Sequence, residues 1–440
     1  MAAGFLTEAG FRPRAIDLSV QKLDEAVVKE ARFVAIAIPM HTALRLGLRA
    51  AERVLALNPS VTLGFYGLYA PLNESLLRAR GATLVLGGEA DEALVEAARR
   101  LERGDSAQSG PDVVLDRLRF VLPRRDVLPA LDRYAKLRLP DGEERLVGYV
   151  EASRGCKHLC RHCPVPAVYG GRFFVISPEL IVEDVRRQVA AGAQHLTFGD
   201  PDFLNGPQHA LRIARLVHAE FPSLTFDFTA KIEHLLAERD RLPELAALGC
   251  LFIVSAVESL SPRVLSLLDK GHSAADVDAA VDAVRAAGMT LRPSLMPFTP
   301  WSTLDDYLEL LHFIEHKQMV GAVDPVQLTI RLLLPPGSLL LGLPEVQSII
   351  GPLDEARLTY PWVHPDPRMD ALQSAVSSLC GNRADADLPP EVLFPDIVAL
   401  ARAAAGLPVK ALHIAPSPAP RLTESWFCCA EPTDRQLDSF

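Results

Sequence analysis

The feature that most constrains the fold is a repeated alternation of strand and helix patterns. In the first hundred residues, predicted strands at 14–20, 33–39, 61–66 and 83–87 alternate with predicted helices at 24–31, 42–57, 73–80 and 91–101. Strands that alternate with helices at this spacing are typical of a parallel, doubly wound sheet. The pattern therefore predicts an α/β fold whose N-terminal domain, residues 1–102, is Rossmann-like.

The alternation restarts after a polar linker and a hairpin at 103–144. Six predicted strands are separated by helical stretches within residues 145–334, and the strands are at 146–152, 195–198, 225–229, 251–255, 290–296 and 326–332. This arrangement predicts a partial (β/α)₆ barrel of TIM type, in which the chemistry lies on loops at the C-terminal ends of the strands. The Pro-rich remainder, 335–440, is predicted to be a C-terminal extension that packs on the barrel.

Composition and charge exclude several classes of partner. The formal net charge is −10 and the pI about 5.7, so a general basic field for nucleic acid is absent. The first residues carry no apolar signal segment, and no stretch reaches the ~18 apolar residues of a membrane-spanning helix. We therefore expect a cytoplasmic protein that acts on a small-molecule substrate and binds neither nucleic acid nor membrane.

The cysteines are unevenly placed. Of seven, three fall within eight residues, Cys156, Cys160 and Cys163, and two are adjacent near the end, Cys428 and Cys429. An odd number without an export signal argues against a disulfide framework and favours metal or redox chemistry.

The Cys-x₃-Cys-x₂-Cys loop directly follows the first predicted barrel strand. Three thiolates on a short loop can bind three irons of a cubane and leave the fourth iron open to another ligand. Arg154, Lys157 and Arg161 would offset the negative charge of such a cluster. A zinc site completed by His158 or His162 is the alternative.

Residues 152–171, ASRGCKHLCRHCPVPAVYGG, resemble the cluster loop of the radical S-adenosylmethionine (SAM) superfamily. The resemblance implies a redox-active [4Fe–4S] cluster on Cys156, Cys160 and Cys163, with S-adenosyl-L-methionine chelating the unique iron. One electron, from a donor such as flavodoxin or ferredoxin, would then cleave a C–S bond of SAM and usually give a 5′-deoxyadenosyl radical. One departure is His162, where the family often has a carbon-ringed aromatic residue.

Other segments resemble the SAM-binding segments of that superfamily. The sequence FGDPDFLN at 198–205 suggests Asp200, with Asp202 behind it, for the SAM amino group, and SAVES at 255–259 suggests Glu258 for the ribose or amino acid end. Three basic residues are candidates for the SAM carboxylate: Lys231, Arg292 and Arg331. For each, an ordinary ion pair at the barrel mouth is the alternative.

The N-terminal domain resembles the cobalamin-binding-like (B12-binding-like, flavodoxin-like) domain that precedes many radical SAM barrels. The sequences IPMHTA at 38–43 and GFYGLYA at 64–70 carry this resemblance, but the DxHxxG motif that supplies an axial histidine is absent. His41 is the only histidine in the first 150 residues. The domain either binds cobalamin without a protein axial ligand or serves as a structural lid.

The tail sequence WFCCAEP, 426–432, resembles that of radical SAM proteins with a CUAEP or CCAEP ending, in which U is selenocysteine. Selenocysteine replaces the first of the pair, so Cys428 is the expected reactive group, with Cys429 as its catalytic neighbour. The alternative is an incidental pair of small apolar residues beside Trp426.

Together, these features predict a radical SAM enzyme, a transferase. It would transfer a methyl or other SAM-derived group to a substrate near the tail thiols, or abstract hydrogen from it. Transfer of a SAM fragment to thiol-bound arsenic or another soft atom is one alternative. An iron–sulfur sensor or metal-binding protein without catalysis is the alternative from another class.

Overall fold

The computed structural model describes residues 1–107, 112–383, 388–409 and 411–423 of the 440-residue chain. Its N-terminal domain is a four-stranded parallel sheet with the spatial order β1-β2-β3-β4. The strands are β1 Phe33–Ala37, β2 Thr62–Tyr66, β3 Leu84–Gly88 and β4 Val113–Val114, and the helices are α1 Ala2–Glu8, α2 Glu25–Glu30, α3 His41–Leu57, α4 Glu74–Ala79 and α5 Asp91–Arg103.

Helix α3 shows why this domain folds as its pattern predicts. Leu44, Leu48 and Ala51 recur at helical spacing and are buried against the sheet. The helix ends at Asn58, whose side-chain amide donates to the carbonyls of Val28 (3.0 Å) and Ala31 (2.8 Å). The same side chain therefore ends α3 and fixes the segment that leads into β1.

The predicted strand at 14–20 is wrong, because the structure has turns there instead. The Asp17 carboxylate accepts hydrogen bonds from the backbone N–H (3.1 Å) and hydroxyl (2.6 Å) of Ser19, and its carbonyl accepts from Val20 N–H. This local turn competes with an extended strand. As a result, the strand order of the described sheet follows the sequence and never reverses.

The second sheet has seven strands in the order β12-β11-β10-β9-β6-β5-β13. Five of them run parallel, namely β6 Glu144–Val150, β9 His195–Phe198, β10 Thr225–Ala230, β11 Cys250–Glu258 and β12 Thr290–Leu295. Strand β5, Lys136–Arg138, runs antiparallel to β6, and β13, Arg421–Leu422, runs antiparallel to β5. A separate hairpin pairs β7 Ser153–Gly155 with β8 Phe173–Val175.

Helices flank this sheet and form the C-terminal extension. Those of the barrel are α6 Pro164–Tyr169, α7 Pro178–Ala190, α8 Pro207–Glu220, α9 Ile232–Ala237, α10 Leu242–Ala247, α11 Pro262–Leu268, α12 Ala274–Ala286 and α13 Leu304–His316. Those of the extension are α14 Pro344–Gln347, α15 Pro367–Arg383 and α16 Pro390–Ala404. Among the described residues, no helix is both long and apolar enough to span a membrane.

The sixth predicted barrel strand, 326–332, is also corrected by the structure. Residues Pro325–Thr329 form a 3₁₀ helix, and only Arg331 makes a single bridge, to Phe298. Pro325 lacks an N–H for a ladder and starts a helical turn, which explains the difference. The curled sheet is therefore an open half-barrel.

Alternate side chains of the half-barrel point to two different environments. Leu196, Phe226 and Leu291 belong to the core shared with the helices. On the other face, His195 Nε2 lies 2.9 Å from Asp227 Oδ1, and the His195 ring stacks on Phe252 at 5.9 Å. We call this concave face the lumen, and the carboxyl ends of the five parallel strands the mouth.

Candidate active site at the mouth of the barrel

The cysteine loop lies directly after β7. Gly155 adopts φ +77°, and a side chain there would collide with the Arg172 carbonyl at 2.4 Å, so the turn requires glycine. Cys156 and Cys160 are buried, Cys163 is half-buried, and all are free thiols. Cys163 precedes Pro164, which begins α6.

A buried ion pair lies beside this loop. Lys270 is 1% exposed, and its Nζ lies 3.3 Å from Glu258 Oε1. Burial alone would lower the pKa of Lys270, but the charges of Glu258, Cys160 and Cys163 outweigh it and raise that pKa. Sequence reasoning assigned this role to Arg154, Lys157 and Arg161 and missed Lys270, because an isolated lysine after a short helix carries no pattern.

Glu258 ends β11 in a left-handed conformation, φ +64°, that favours glycine. Its Oε1 lies 3.4 Å from His162 Nε2, in addition to the Lys270 contact. Burial opposes ionisation of Glu258, yet Lys270 and His162 prevail and lower its pKa to about 2. The carboxylate therefore connects the end of β11 to the cysteine loop, and its expected contact with SAM stays a prediction.

Asp200 connects the loop after β9 to the start of β7, the strand before the cysteines, through hydrogen bonds. Its carboxylate accepts hydrogen bonds from Ala152 N–H (2.9 Å) and from the Ser153 hydroxyl (2.5 Å). Burial raises the pKa of Asp200 to about 7, although these hydrogen bonds lower it. A role toward the SAM amino group remains a prediction.

A hydrogen-bonded chain of side chains crosses the mouth. Asp202 Oδ2 accepts from His234 Nδ1 (2.8 Å), and His234 Nε2 lies 3.2 Å from His158 Nε2. His158 Nδ1 is 3.3 Å from Lys231 Nζ, and Lys231 also contacts Glu233. The structure thus brings the predicted residues Asp202 and Lys231 together through two histidines. Sequence reasoning missed His234, whose signal was its position three residues after Lys231.

Arg292 and Arg331, the other two candidates for binding the SAM carboxylate, have partners within the chain. Arg292 Nη2 lies 2.6 Å from Asp324 on the lumen side of β12. Arg331 pairs with Asp370 and stacks 3.5 Å from the Trp362 ring. The structure does not bring these two guanidinium groups into contact with Glu258 or Lys231, and their contact with SAM stays untested.

The N-terminal domain contacts the cysteine loop and the strand that precedes it. Arg154 Nη1 lies 2.6 Å from Asp91 and 3.5 Å from Glu89, and the Tyr169 hydroxyl donates to Glu89 Oε1 at 3.0 Å. Cys156 and Tyr169 pack with Leu68 and other apolar residues of this domain. Arg154 is therefore an interdomain clamp.

Residues 150–314 match the family model of the radical SAM superfamily. The chain carries a radical SAM domain. Proteins of this superfamily use a [4Fe–4S] cluster and SAM, and the radical SAM domain fits that requirement at the cysteine loop. Buried donors without partners, Asn205 Nδ2 and His162 Nδ1, lie beside it and could donate to cluster or SAM atoms. Asn205 also faces Cys156, with Oδ1 3.8 Å from Sγ.

Curated relatives of the radical SAM domain include a ribosomal protein methylthiotransferase and a tRNA-modifying synthase. The ribosomal protein uS12 methylthiotransferase RimO of Bacteroides thetaiotaomicron is 27% identical over 182 residues, which is 38% of this chain and 40% of that protein. The tRNA-2-methylthio-N(6)-dimethylallyladenosine synthase of Halorhodospira halophila is 25% identical over 66% of this chain and 60% of its own length. The chain thus spans only about half the length of these relatives.

Solved structures with this fold include cobalamin-dependent enzymes. The radical SAM enzyme OxsB, with aqua-cobalamin and SAM bound, aligns at a TM-score of 0.64 and 14% identity over 87% of this chain and 64% of OxsB. The methyltransferase TsrM from Kitasatospora setae, with cobalamin and a [4Fe–4S] cluster, aligns at 0.57 and 16% identity over 72% of this chain and 67% of TsrM. At these identities the likeness shows the fold.

In this structure, contacts within the chain occupy His41, the histidine of the N-terminal domain that could approach cobalamin. Rossmann-like sheets bind cofactors where the strand order reverses, and the described sheet has no reversal. His41 Nε2 is bonded to the carbonyls of Arg357 (3.0 Å) and Leu358 (3.3 Å), and Leu358 is buried in the core of the domain. Burial lowers the pKa of His41 to about 4.

The predicted catalytic pair, Cys428 and Cys429, lies outside the described residues, which end at Thr423.

Proposed function

We propose that this chain is a SAM-cleaving transferase whose substrate binds in the lumen, within reach of Cys428 and Cys429. The observation that supports it best is the placement of Cys156, Cys160 and Cys163 at the mouth beside the buried Lys270–Glu258 pair. When bound, the cluster and SAM supply one-electron cleavage of a carbon–sulfur bond.

In this proposal, the chain's own residues hold and orient the reactants. Cys156, Cys160 and Cys163 hold the cluster, and Lys270 offsets its negative charge from the interior. Asp200 and Glu258 fix the loops on either side of the cysteine loop, through Ala152 and His162 respectively. Burial of the Cys156 and Cys160 thiols excludes water from the cluster.

The contacts of His41 in the N-terminal domain bear on which group is transferred. The contacts of His41 and Leu358 disfavour methyl transfer through cobalamin. The adjacent cysteines of the tail support direct transfer of a SAM-derived fragment to a soft atom held by their thiols, with trivalent arsenic as the candidate, because adjacent thiolates suit soft ligands.

The test is product analysis of SAM turnover. The cluster is reconstituted anaerobically, SAM and a reductant are added, and the products are identified by mass spectrometry, with and without cobalamin. We expect a cleaved SAM product such as 5′-deoxyadenosine or methylthioadenosine. Finding neither of these, nor S-adenosylhomocysteine, would exclude the enzymatic function and leave the sensor.

The role of the tail is tested separately. Cys428→Ala should abolish net transfer to trivalent arsenic while uncoupled SAM cleavage continues, with Cys380→Ala as the matched control. Equal loss of cleavage and transfer in Cys428→Ala would indicate a structural tail instead.

A further inference from the structure

The last described segment of the chain closes the open side of the half-barrel. The Ser417 hydroxyl accepts from Gly321 N–H at 3.1 Å, and the Pro420 carbonyl accepts from Arg292 Nη1 at 2.9 Å. Arg292 belongs to β12 at one edge of the sheet, whereas the next residue, Arg421, pairs with Arg138 of β5 near the other edge. The segment therefore joins the two edges.

The direction of this segment follows from the strand pairing. Strand β13 is antiparallel to β5, and β5 is antiparallel to β6, so β13 runs in the same direction as the barrel strands. Thr423 N–H donates to the Lys136 carbonyl at 2.8 Å, and Lys136 is the partner of Leu146 in β6. At Thr423 the chain is thus level with Leu146 and heads for the mouth.

The length of chain beyond Thr423 is sufficient to reach the mouth. Strand β6 ends at Val150, four residues after Leu146, which corresponds to a rise of about 13 Å along the strand. Cys428 is five residues beyond Thr423, a span of roughly 17 Å when extended.

The lumen is filled at its base and partly exposed toward the mouth. The base is filled by buried side chains, His195, Asp227, Phe252 and Arg292. Toward the mouth, the lumen positions are partly exposed, and they are Thr197, Thr229, Val254 and Ser294. This mixed polar and apolar wall suits a short peptide that carries both apolar side chains and thiols.

The geometry points to the lumen as the docking site of residues 424–429 of this same chain, which delivers Cys428 and Cys429 to the mouth beside the cluster. This inference rests on the proposed function for the identity of the cluster, and it adds where the tail thiols act.

The test is a distance measurement on the full-length holoprotein. A nitroxide is attached to Cys428 in a Cys380→Ala, Cys429→Ala background, and its relaxation enhancement by the reduced cluster is measured by EPR. Two reference labels calibrate the result in a background that also carries Cys428→Ala. Glu179→Cys lies at the start of α7, near the mouth, and Asp141→Cys lies in the β5–β6 turn at the base.

We expect the label at Cys428 to relax at least as fast as the label at residue 179. A slower rate, like that at residue 141, would overturn the docking. Thr423→Pro removes the N–H that bonds Lys136 and should abolish the enhancement, whereas Thr423→Ser keeps both bonds and should retain it. If the label at Cys428 lies close to the cluster but the protein does not cleave SAM, only the proposed function is rejected. If the label is distant and SAM cleavage is intact, only the docking is rejected.

Discussion

Lys270 and Glu258 are the residues on which the cysteine loop depends most. Both are buried, and each is the principal opposite charge of the other. Removing one partner of a buried pair leaves an uncompensated charge, which costs about 3–5 kcal/mol. The same pair also explains why Glu258 tolerates a left-handed backbone, since its carboxylate is held by two groups.

Glu258→Gln should therefore destabilise the cluster-free protein by about 3–5 kcal/mol, because Lys270 loses its counter-charge. Chemical denaturation followed by circular dichroism measures the change. Glu179→Gln is the control, since its pair with Arg212 is exposed and contributes about 0–1 kcal/mol. An equal effect of the two substitutions would show that the Lys270–Glu258 pair is not structurally important.

The raised pKa of Asp200 makes the stability of the folded protein depend on pH in a defined direction. Its pKa is about 7 in the folded protein and about 3.9 when unfolded, so the folded state binds more protons between these values. Stability should fall as the pH rises from about 4 to about 7. Asp200→Asn can accept from Ala152 and donate to Ser153, so the variant should lose this decline. A denaturation series across that range checks it, and an unchanged slope in the variant would contradict it.

At the scale of elements, sequence patterns predicted the strands that form the half-barrel and failed where local chemistry prevailed. The patterns that became β9 to β12 lie between predicted helices and are confirmed. Residues 14–20 and 326–332 are also predicted to be strands, but the Asp17 turn and Pro325 decide their backbone. The hydrophobic pattern of a segment does not report a single side-chain hydrogen bond or the missing N–H of a proline. The sequence pattern alone therefore could not show that these two segments are not strands.

Site residues show the same limit. The cysteines were found because their ligand pattern is local, within eight residues. Lys270, His234 and the partners of Arg292 arise from contacts between distant elements, which a single sequence does not display. Asp324, the partner of Arg292, lies 32 residues away from it.

The clamp between domains makes a prediction at this scale. Arg154→Met would leave Glu89, which is 0% exposed, and Asp91 without their shared cation, and burial already raises the pKa of Glu89. We expect the N-terminal domain to unfold at a lower temperature than the barrel, seen as a separate transition in calorimetry. Arg212→Met, on the exposed face of α8, is the control and should keep the wild-type profile. A single unchanged transition in both variants would show that the clamp contributes little.

The whole molecule places a sheet without a strand reversal against a radical SAM half-barrel. In this arrangement residues beside the N-terminal sheet contact Arg154, Tyr169 and Leu358. These contacts place the domain against the cysteine loop.

Hydroxocobalamin should therefore not bind the cluster-loaded protein at micromolar concentrations. Equilibrium dialysis followed by absorbance of the retained corrin measures it, and SAM cleavage should be the same with and without cobalamin. Stoichiometric retention of the corrin would show that the contacts of His41 and Leu358 open, and would restore cobalamin-dependent methyl transfer as the leading function.

The interdomain position of the cysteine loop also bears on how the protein matures. Cys156 packs against apolar residues of the N-terminal domain, whose buried carboxylates pair with Arg154, so the docked domain covers this side of the loop. A cluster that reaches the cysteines from this side would have to be inserted before the N-terminal domain docks, or during its transient release. The Arg154 clamp would then set the order of cluster insertion and domain docking.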